Sequence, residues 1–550
     1  MIDKFMYNLK LEINNALKSL GVELNNFEDE IILEIPKDTK NGDFSTNIAM
    51  RLARTLRKAP MMIANDIKGL IDLEKCHLEK VEVAGAGFIN FYLDIDYLFA
   101  NVSNILSLGS NYGNSTIGQN QKICLEYVSA NPTGYLHIGH GRGAAFGDTL
   151  ARVMKKAGFD VHREHYVNDA GNQINNMALS VYERYKELYG LDIDFKEDYY
   201  HGKEIITIAE AIKAEYGDKF LKDFDLDFFK EYGTKYLLGN LKKDLQRFNV
   251  EFDNWFSEKS LYEQNHVQST LEYLNTHGYT YTHEGALWLK TSTYGDEKDR
   301  VIVKSDGNYT YLLPDIAYHA NKLSRGYDHL IDVLGADHHG YIDRLKAAVS
   351  MVGGNSDLID VEILQMVRVL ENGEEVKMSK RSGKAITLID LIDEVGKDAL
   401  RYFYVSKSLS THVDLDLDLM KKTSNENPVF YAQYAHARIA SIFKNFEKTN
   451  EEFSYQTNFD HVDKMSFKNI LMLMANYQVV IEEVASKRLV HKLAHYLDEL
   501  AYALHSFYND QKVITEDIQA TKERMTVLRA MQIIIKDCLT LMGISAPDKM

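Results

Sequence analysis

Cysteine is nearly missing from this 550-residue chain: Cys76, Cys124 and Cys538 stand far apart and never as CxxC. That excludes a disulfide framework and suggests no zinc site. Proline is scarce at 6, which excludes Pro-rich linkers as an organising feature and favours helices. No stretch offers about 18 uncharged apolar residues, so no membrane span is expected. Met1–Gly21 reads as a charged amphipathic helix with Ile13, Leu17 and Leu20 inward, not as a signal peptide. A cytoplasmic protein is expected. Positive charge is also in deficit, with 63 Lys and Arg against 80 Asp and Glu, net −17. This sign argues against nonspecific coating of nucleic acid but leaves room for RNA binding by a local surface. The acidity is uneven. Residues 181–290 carry 14 basic and 21 acidic side chains, whereas 430–550 carry 14 and 15. No internal repeat is present.

What is there begins with size: 550 residues at 45% hydrophobic content predict several packed domains. The chain is organised around residues 126–143. The run Ile123–Val128 reads as a buried parallel strand, followed by a Gly/Pro/Asn loop, a helix from about Ile138 to Lys156, and a second strand Val161–Val167. This βαβ unit places His137-Ile138-Gly139-His140 at a helix start, where free N–H groups and the helix dipole attract phosphate. Two imidazoles one turn apart add donors, and Gly139 leaves room for a flat ring. The pattern is a nucleotide site distinct from the GxGxxG and Walker A types.

Residues 1–113 read as a separate α/β domain. Strands are expected at Ile31–Ile35, Val81–Ala84 and Phe88–Leu93, helices at Asn47–Leu56 and Pro60–Leu70, and a linker over 108–118. Residues 181–290 read as a mostly helical, Tyr-rich insertion whose aromatics are core. Beyond it, Tyr309–Leu313 reads as a strand, Pro314–Leu323 as a helix, and His329–Leu334 and Asp360–Leu370 as strands. Asn372-Gly373 makes a hairpin turn. The cationic Lys377-Met378-Ser379-Lys380-Arg381-Ser382-Gly383 follows. From Leu388 onward the chain reads as nearly all helical, ending in a bundle at about 429–447, 465–486, 490–510 and 515–542. The expected fold class is α/β: a split, doubly wound Rossmann-like parallel sheet (114–415, insertion about 181–290), an N-terminal α/β domain (1–113) and a C-terminal all-α bundle (416–550).

The tetrad His137–His140, followed about 240 residues later by Lys377–Lys380, resembles the paired signature of class I aminoacyl-tRNA synthetases. Within that class the chain resembles the arginyl-tRNA synthetases along almost its whole length. Ala130-Asn131-Pro132-Thr133-Gly134-Tyr135-Leu136, Tyr311-Leu312-Leu313-Pro314-Asp315, Gly335-Ala336-Asp337-His338-His339-Gly340, Asp398-Ala399-Leu400-Arg401 and Asn41-Gly42-Asp43-Phe44-Ser45-Thr46-Asn47 carry the match.

The resemblance implies ligation of L-arginine to tRNA(Arg) through an arginyl-adenylate, with Mg²⁺ accompanying ATP and no structural zinc. His137, His140, Lys377 and Lys380 are the implied catalytic residues. Gly139, Met378 and Ser379 join His137, His140 and Lys380 around ATP. Glu126, Ser129, Asn131, His140, Tyr311, Asp315 and His338 are implied around arginine, with Asp315 and Tyr311 at the guanidinium. Some relatives carry Gln at the position of His338. A planar fork of donors calls for such carboxylates. Each also has a plainer reading: Asp315 as a helix-start residue, Glu126 as partner of a nearby cation, Tyr311 as core, and the two lysines as exposed charges. The bundle is implied to hold the anticodon arm, with Tyr431, Tyr434, His436 and Arg438 as candidate contacts, and 1–113 to touch the outer corner of the tRNA. A monomer is implied. The alternative function is a synthetase-like RNA-binding or regulatory protein without aminoacylation activity.

Overall fold

The computed structural model describes residues 1–36, 38–376 and 386–550. Its centre is a five-stranded, wholly parallel sheet in the order Ile359–Leu364, His329–Gly335, Lys122–Glu126, Asp160–Val167, Asn254–Ser257. The sheet's first strand in chain order, Lys122–Glu126, lies in the middle. The chain fills one side, then returns to fill the other, so the order reverses between Lys122–Glu126 and His329–Gly335. In such sheets the ligand crevice lies outside the strand carboxyl ends at that reversal. Ile123, Cys124 and Leu125 are all buried, as a strand covered on both faces requires.

The Ile138–Lys156 helix covers one face. It approaches closely because Gly147 faces the Tyr127 ring, where a Cβ would come within 2.3 Å. The opposite face is covered by the Leu312–Ser324 helix, whose Tyr318 hydroxyl reaches the carboxylates of both central strands.

The N-terminal region holds a three-stranded antiparallel sheet of Phe44–Thr46, Phe88–Leu93 and Leu78–Ala84. The expected strand at Ile31–Ile35 does not form. A short helix, Phe27–Glu30, capped by Asn26, runs up to Ile31. Only Glu34 pairs, exchanging both backbone bonds with Ser45, and Pro36 has no N–H to extend the ladder. The expected linker 108–118 is packed. The Tyr112 hydroxyl accepts from Asn101 and donates to the Met474 carbonyl, and Gly113 lies against the Tyr477 ring.

The 181–290 segment is mostly helical, as expected, but also carries strands. Helices Lys203–Tyr216 and Leu226–Arg247 lead back to Asn254–Ser257, an edge strand of the main sheet, and then to antiparallel strands Thr280–His283, Ala286–Leu289 and Arg300–Val303. Its Tyr185, Phe220 and Phe229 are buried in a local core.

Tyr309–Leu313 is not a strand. Tyr309 makes a single bridge to Val303 across the Gly307 turn, and Leu312 already opens the helix. Pro314 sits in the first turn, where its missing N–H costs nothing. Asp360–Leu370 is two strands. The Gln365 N–H bonds the Leu409 carbonyl and the Gln365 carbonyl accepts from Arg142, so the ladder breaks there. Val367–Glu371 then pairs in parallel with Val413–Asp416, a strand inside the stretch expected to be helical. Helices Pro428–Phe446, Lys468–Lys487, His491–Asp510 and Ile518–Leu541 form the C-terminal bundle. One apolar core runs from Ile2 through the central helix to Ile544. Among the described residues, no helix is long and apolar enough to cross a membrane.

Candidate active site

The crevice at the strand reversal is a cleft of about 610 Å³, lined by Val128, Ser129, His137, Gly139, His140 and His338 among others. Its floor begins where strand Lys122–Glu126 ends. Val128 and Ser129 both take positive φ, 71° and 37°, a costly backbone for a β-branched residue. Two bonds from the serine hydroxyl offset it: Ser129 Oγ donates to Glu126 Oε1 at 2.7 Å and accepts from the Tyr166 N–H at 3.2 Å.

His137 and His140 open the central helix. Their rings stack with centroids 3.6 Å apart. His137 Nδ1 accepts from the Gly139 N–H at 3.1 Å, and His140 Nδ1 accepts from the His137 N–H at 3.2 Å. With each Nδ1 an acceptor, each neutral ring carries its proton on Nε2. Burial lowers both pKa values, that of His140 to about 3. The pair is therefore two neutral N–H donors beside a helix N-terminus. A Cβ on Gly139 would press on the His137 ring at 3.0 Å.

Lys377, Met378, Ser379 and Lys380 lie outside the described residues. On the near side, the Val376 N–H bonds the Val369 carbonyl; on the far side, Thr387 bridges His137 and the Leu388 N–H bonds the Leu136 carbonyl.

Glu126 is buried and engaged. It accepts from Ser129, from the Tyr318 hydroxyl at 2.9 Å and from the ammonium of Lys322. Asp315 lies in the first turn of its helix, accepting from the Tyr341 hydroxyl at 2.5 Å and facing His319 Nδ1 at 3.2 Å. Asn131 donates to Gln173 Oε1 at 2.5 Å. Tyr311 is 78% exposed, so it is not core. His338 stands in the Ala336–Tyr341 turn on the cleft wall.

Sequence reasoning missed the charged groups behind this crevice. Tyr318, His319 and Lys322 follow Asp315 at helical spacing, which was a readable signal. Asp332 and Glu164 face them from the strands, and Arg325 grips Glu164 with two bonds. Glu258, just past strand Asn254–Ser257, was also missed. It is buried, and burial above all raises its pKa to about 7, against a hydrogen bond with Tyr166 and with the charges of Asp169 and Asp315 adding to the rise.

In the bundle, the Arg438 guanidinium lies over the rings of Tyr434 and Tyr508, at 4.8 and 4.3 Å, and Tyr431 packs on His505. The expectation for His436 is corrected. Its side chain is turned inward, 2% exposed, and bonds the Pro547 carbonyl, so it cannot reach a base.

A parallel sheet with a histidine pair at its reversal and a helical bundle behind it defines a class I synthetase. Residues 101–446 match the family model for the class I (R) tRNA synthetase catalytic domain, 7–93 that for the arginyl-tRNA synthetase N-terminal domain, and 432–550 that for the DALR anticodon-binding domain. The chain belongs to the arginyl-tRNA synthetase family. It is 49% identical to the arginine–tRNA ligase of Bacillus subtilis over 98% of both chains, and 46% identical to arginine–tRNA ligase 1 of Halalkalibacterium halodurans over 100% of both. The arginyl-tRNA synthetase structure of Thermus thermophilus shares the fold at TM-score 0.75 and 21% identity, covering 98% of this chain and 99% of that one.

Proposed function

We infer that this chain joins L-arginine to tRNA(Arg), converting ATP, arginine and tRNA to AMP, diphosphate and arginyl-tRNA(Arg). The observation that carries it is the stacked, neutral histidine pair at a helix N-terminus in the cleft, with the Glu126 carboxylate bonded to Ser129 of the same cleft. Nothing in the chain favours an RNA-binding or regulatory role without activity.

In the first step the arginine carboxylate attacks the α-phosphorus of ATP and diphosphate leaves. Charge grows on phosphate oxygens, and preorganised donors lower that barrier. The Nε2–H groups of His137 and His140 serve as those donors, and Gly139 admits the nucleotide. Lys377 and Lys380, with Met378 and Ser379, are assigned to ATP by their motif alone. Mg²⁺ would accompany ATP and supply positive charge to its phosphates. Asp315 and Glu258 take the guanidinium with Tyr311. Glu126, Ser129, Asn131 and His338 surround the rest of arginine. Charge-assisted bonds contribute about 1.5–3 kcal/mol each, so lysine, a point charge without the fork, is rejected. In the second step a hydroxyl of the terminal adenosine of tRNA attacks the arginyl carbonyl of the adenylate, and AMP leaves as the ester forms.

Residues 1–113 are assigned to the outer corner of the tRNA, 114–415 to catalysis and 416–550 to the anticodon arm, with Tyr431, Tyr434 and Arg438 as contacts. The working form is a cytoplasmic monomer. Asp315→Asn tests the pocket: the KM for arginine rises at least tenfold while the KM for ATP holds. An unchanged arginine KM contradicts the assignment.

A further inference from the structure

Between Asp315 and Glu126 runs an unbroken buried chain of charges. Asp315 Oδ1 faces His319 Nδ1 at 3.2 Å. His319 Nε2 donates to Asp332 Oδ2 at 2.8 Å. Asp332 Oδ1 accepts from the Lys322 ammonium at 2.8 Å, and that ammonium also donates to Glu126. The signs alternate along all five residues. His319, Lys322 and Asp332 are each at most 3% exposed. His319 must be an imidazolium, because Nδ1 also donates to the Asp315 carbonyl at 2.8 Å while Nε2 meets a carboxylate. The Tyr341 hydroxyl closes one end on Asp315, and Ser129 and Tyr318 close the other on Glu126.

A buried ionic chain is a poor way to gain stability, since well-packed apolar side chains do as well or better. Its value lies in what its ends do. Both ends are carboxylates on different elements, a helix start and a strand end, and the Glu126 end is bonded to Ser129 of the cleft lining. The chain holds three carboxylates and two cations, and so carries one uncompensated negative charge. A cation arriving at its ends completes it.

We propose that His319 and Lys322 are positioning residues for amino-acid selection. They hold the Asp315 and Glu126 carboxyl groups at a fixed spacing and orientation, as one rigid frame that fits the two cationic ends of arginine. The proposal rests on the reading that Asp315 and Glu126 contact arginine. His319 and Lys322 act only through those carboxylates.

The test compares three variants of the full-length enzyme by steady-state aminoacylation with tRNA: Lys322→Met, the charge-balanced double Lys322→Met/Asp332→Asn, and Asp315→Asn. The double variant serves if the single one does not fold. The expected result is a rise of at least tenfold in the KM for arginine in every folded variant. The KM values for ATP and tRNA change less than twofold, and preference for arginine over its neutral urea isostere, citrulline, falls. A merely structural role would lower active fraction and kcat without separating the three KM values. If Asp315→Asn raises the arginine KM and a folded Lys322 variant does not, the proposal is overturned and the pocket reading stands. If Asp315→Asn has no effect, both fall. Wild-type protein with ¹⁵N-labelled histidine gives an independent measure. His319 should show two protonated ring nitrogens whose shifts move on adding arginine and not on adding ornithine. A neutral ring, or shifts indifferent to arginine, contradicts the proposal.

Discussion

Arg401 Nη2 donates to Asp148 Oδ2 at 2.6 Å with both side chains wholly buried. The pair ties the Asp398–Arg401 stretch to the helix that begins at His137. Arg401 also donates to the Met542 and Phe248 carbonyls at 2.6 and 3.0 Å, and a Cβ on Gly543 would lie 2.4 Å from its guanidinium carbon. One side chain therefore fastens the end of the bundle to the catalytic helix. Arg401→Met strands part of the Asp148 charge and leaves two carbonyls short of donors. Breaking a buried pair costs about 3–5 kcal/mol, and Arg152 still reaches Asp148 at 2.9 Å. The expected loss is about 3 kcal/mol, read as a lower urea midpoint.

His165 is fully buried against Trp255 and Phe252, with neither ring nitrogen bonded. Burial lowers its pKa to about 3. The folded state thus refuses a proton that the unfolded chain accepts near the ordinary histidine value of about 6.5. Stability from this group is complete above that value and is lost as pH falls towards 3. At pH 5 the loss is about 2 kcal/mol. His165→Phe removes it. Urea melts should show the variant more stable than the parent at pH 5, with the gain absent at pH 7.5.

Glu258 works in the opposite sense. Its carboxyl, raised to about 7 by burial and by Asp169 and Asp315, holds a proton that an unfolded glutamate loses near 4.3. Its contribution favours the folded state below that value and is lost as pH rises through 7. A guanidinium bound there stabilises the ionised form. Arginine binding should therefore release a proton near pH 6.5 and tighten as pH rises to 8. Calorimetry in two buffers of different ionisation enthalpy measures that proton, and Glu258→Gln should abolish it.

The sequence carried the central unit well. Strand, loop, histidine helix and second strand lie where hydrophobic runs and glycines put them, as do the bundle helices with their long apolar periods. Failures came where pairing is decided by distant partners. Ile31–Ile35 has strand composition, but Ser45 offers it only one residue of ladder. Asn254–Ser257 is four residues of edge strand between helices, too short to stand out. Val413–Asp416 is made a strand by Val367–Glu371. Within the site, the motifs pointed to the cleft wall but not to what stands behind it. Lys322 shares the helical spacing of Asp315 and His319, but only the fold flanks it with Glu126 and Asp332 and buries it. Glu258 has no motif, and only the fold brings it within electrostatic reach of Asp315. His436 shares a helix with Tyr434 and Arg438, but two residues' rotation turns it inward.

The measurement that tests the account most directly is aminoacylation of total tRNA by the purified protein with ATP and Mg²⁺, using each of the twenty labelled amino acids separately. The account predicts that arginine alone is attached. Attachment of a different amino acid, or of none by folded protein, would contradict it.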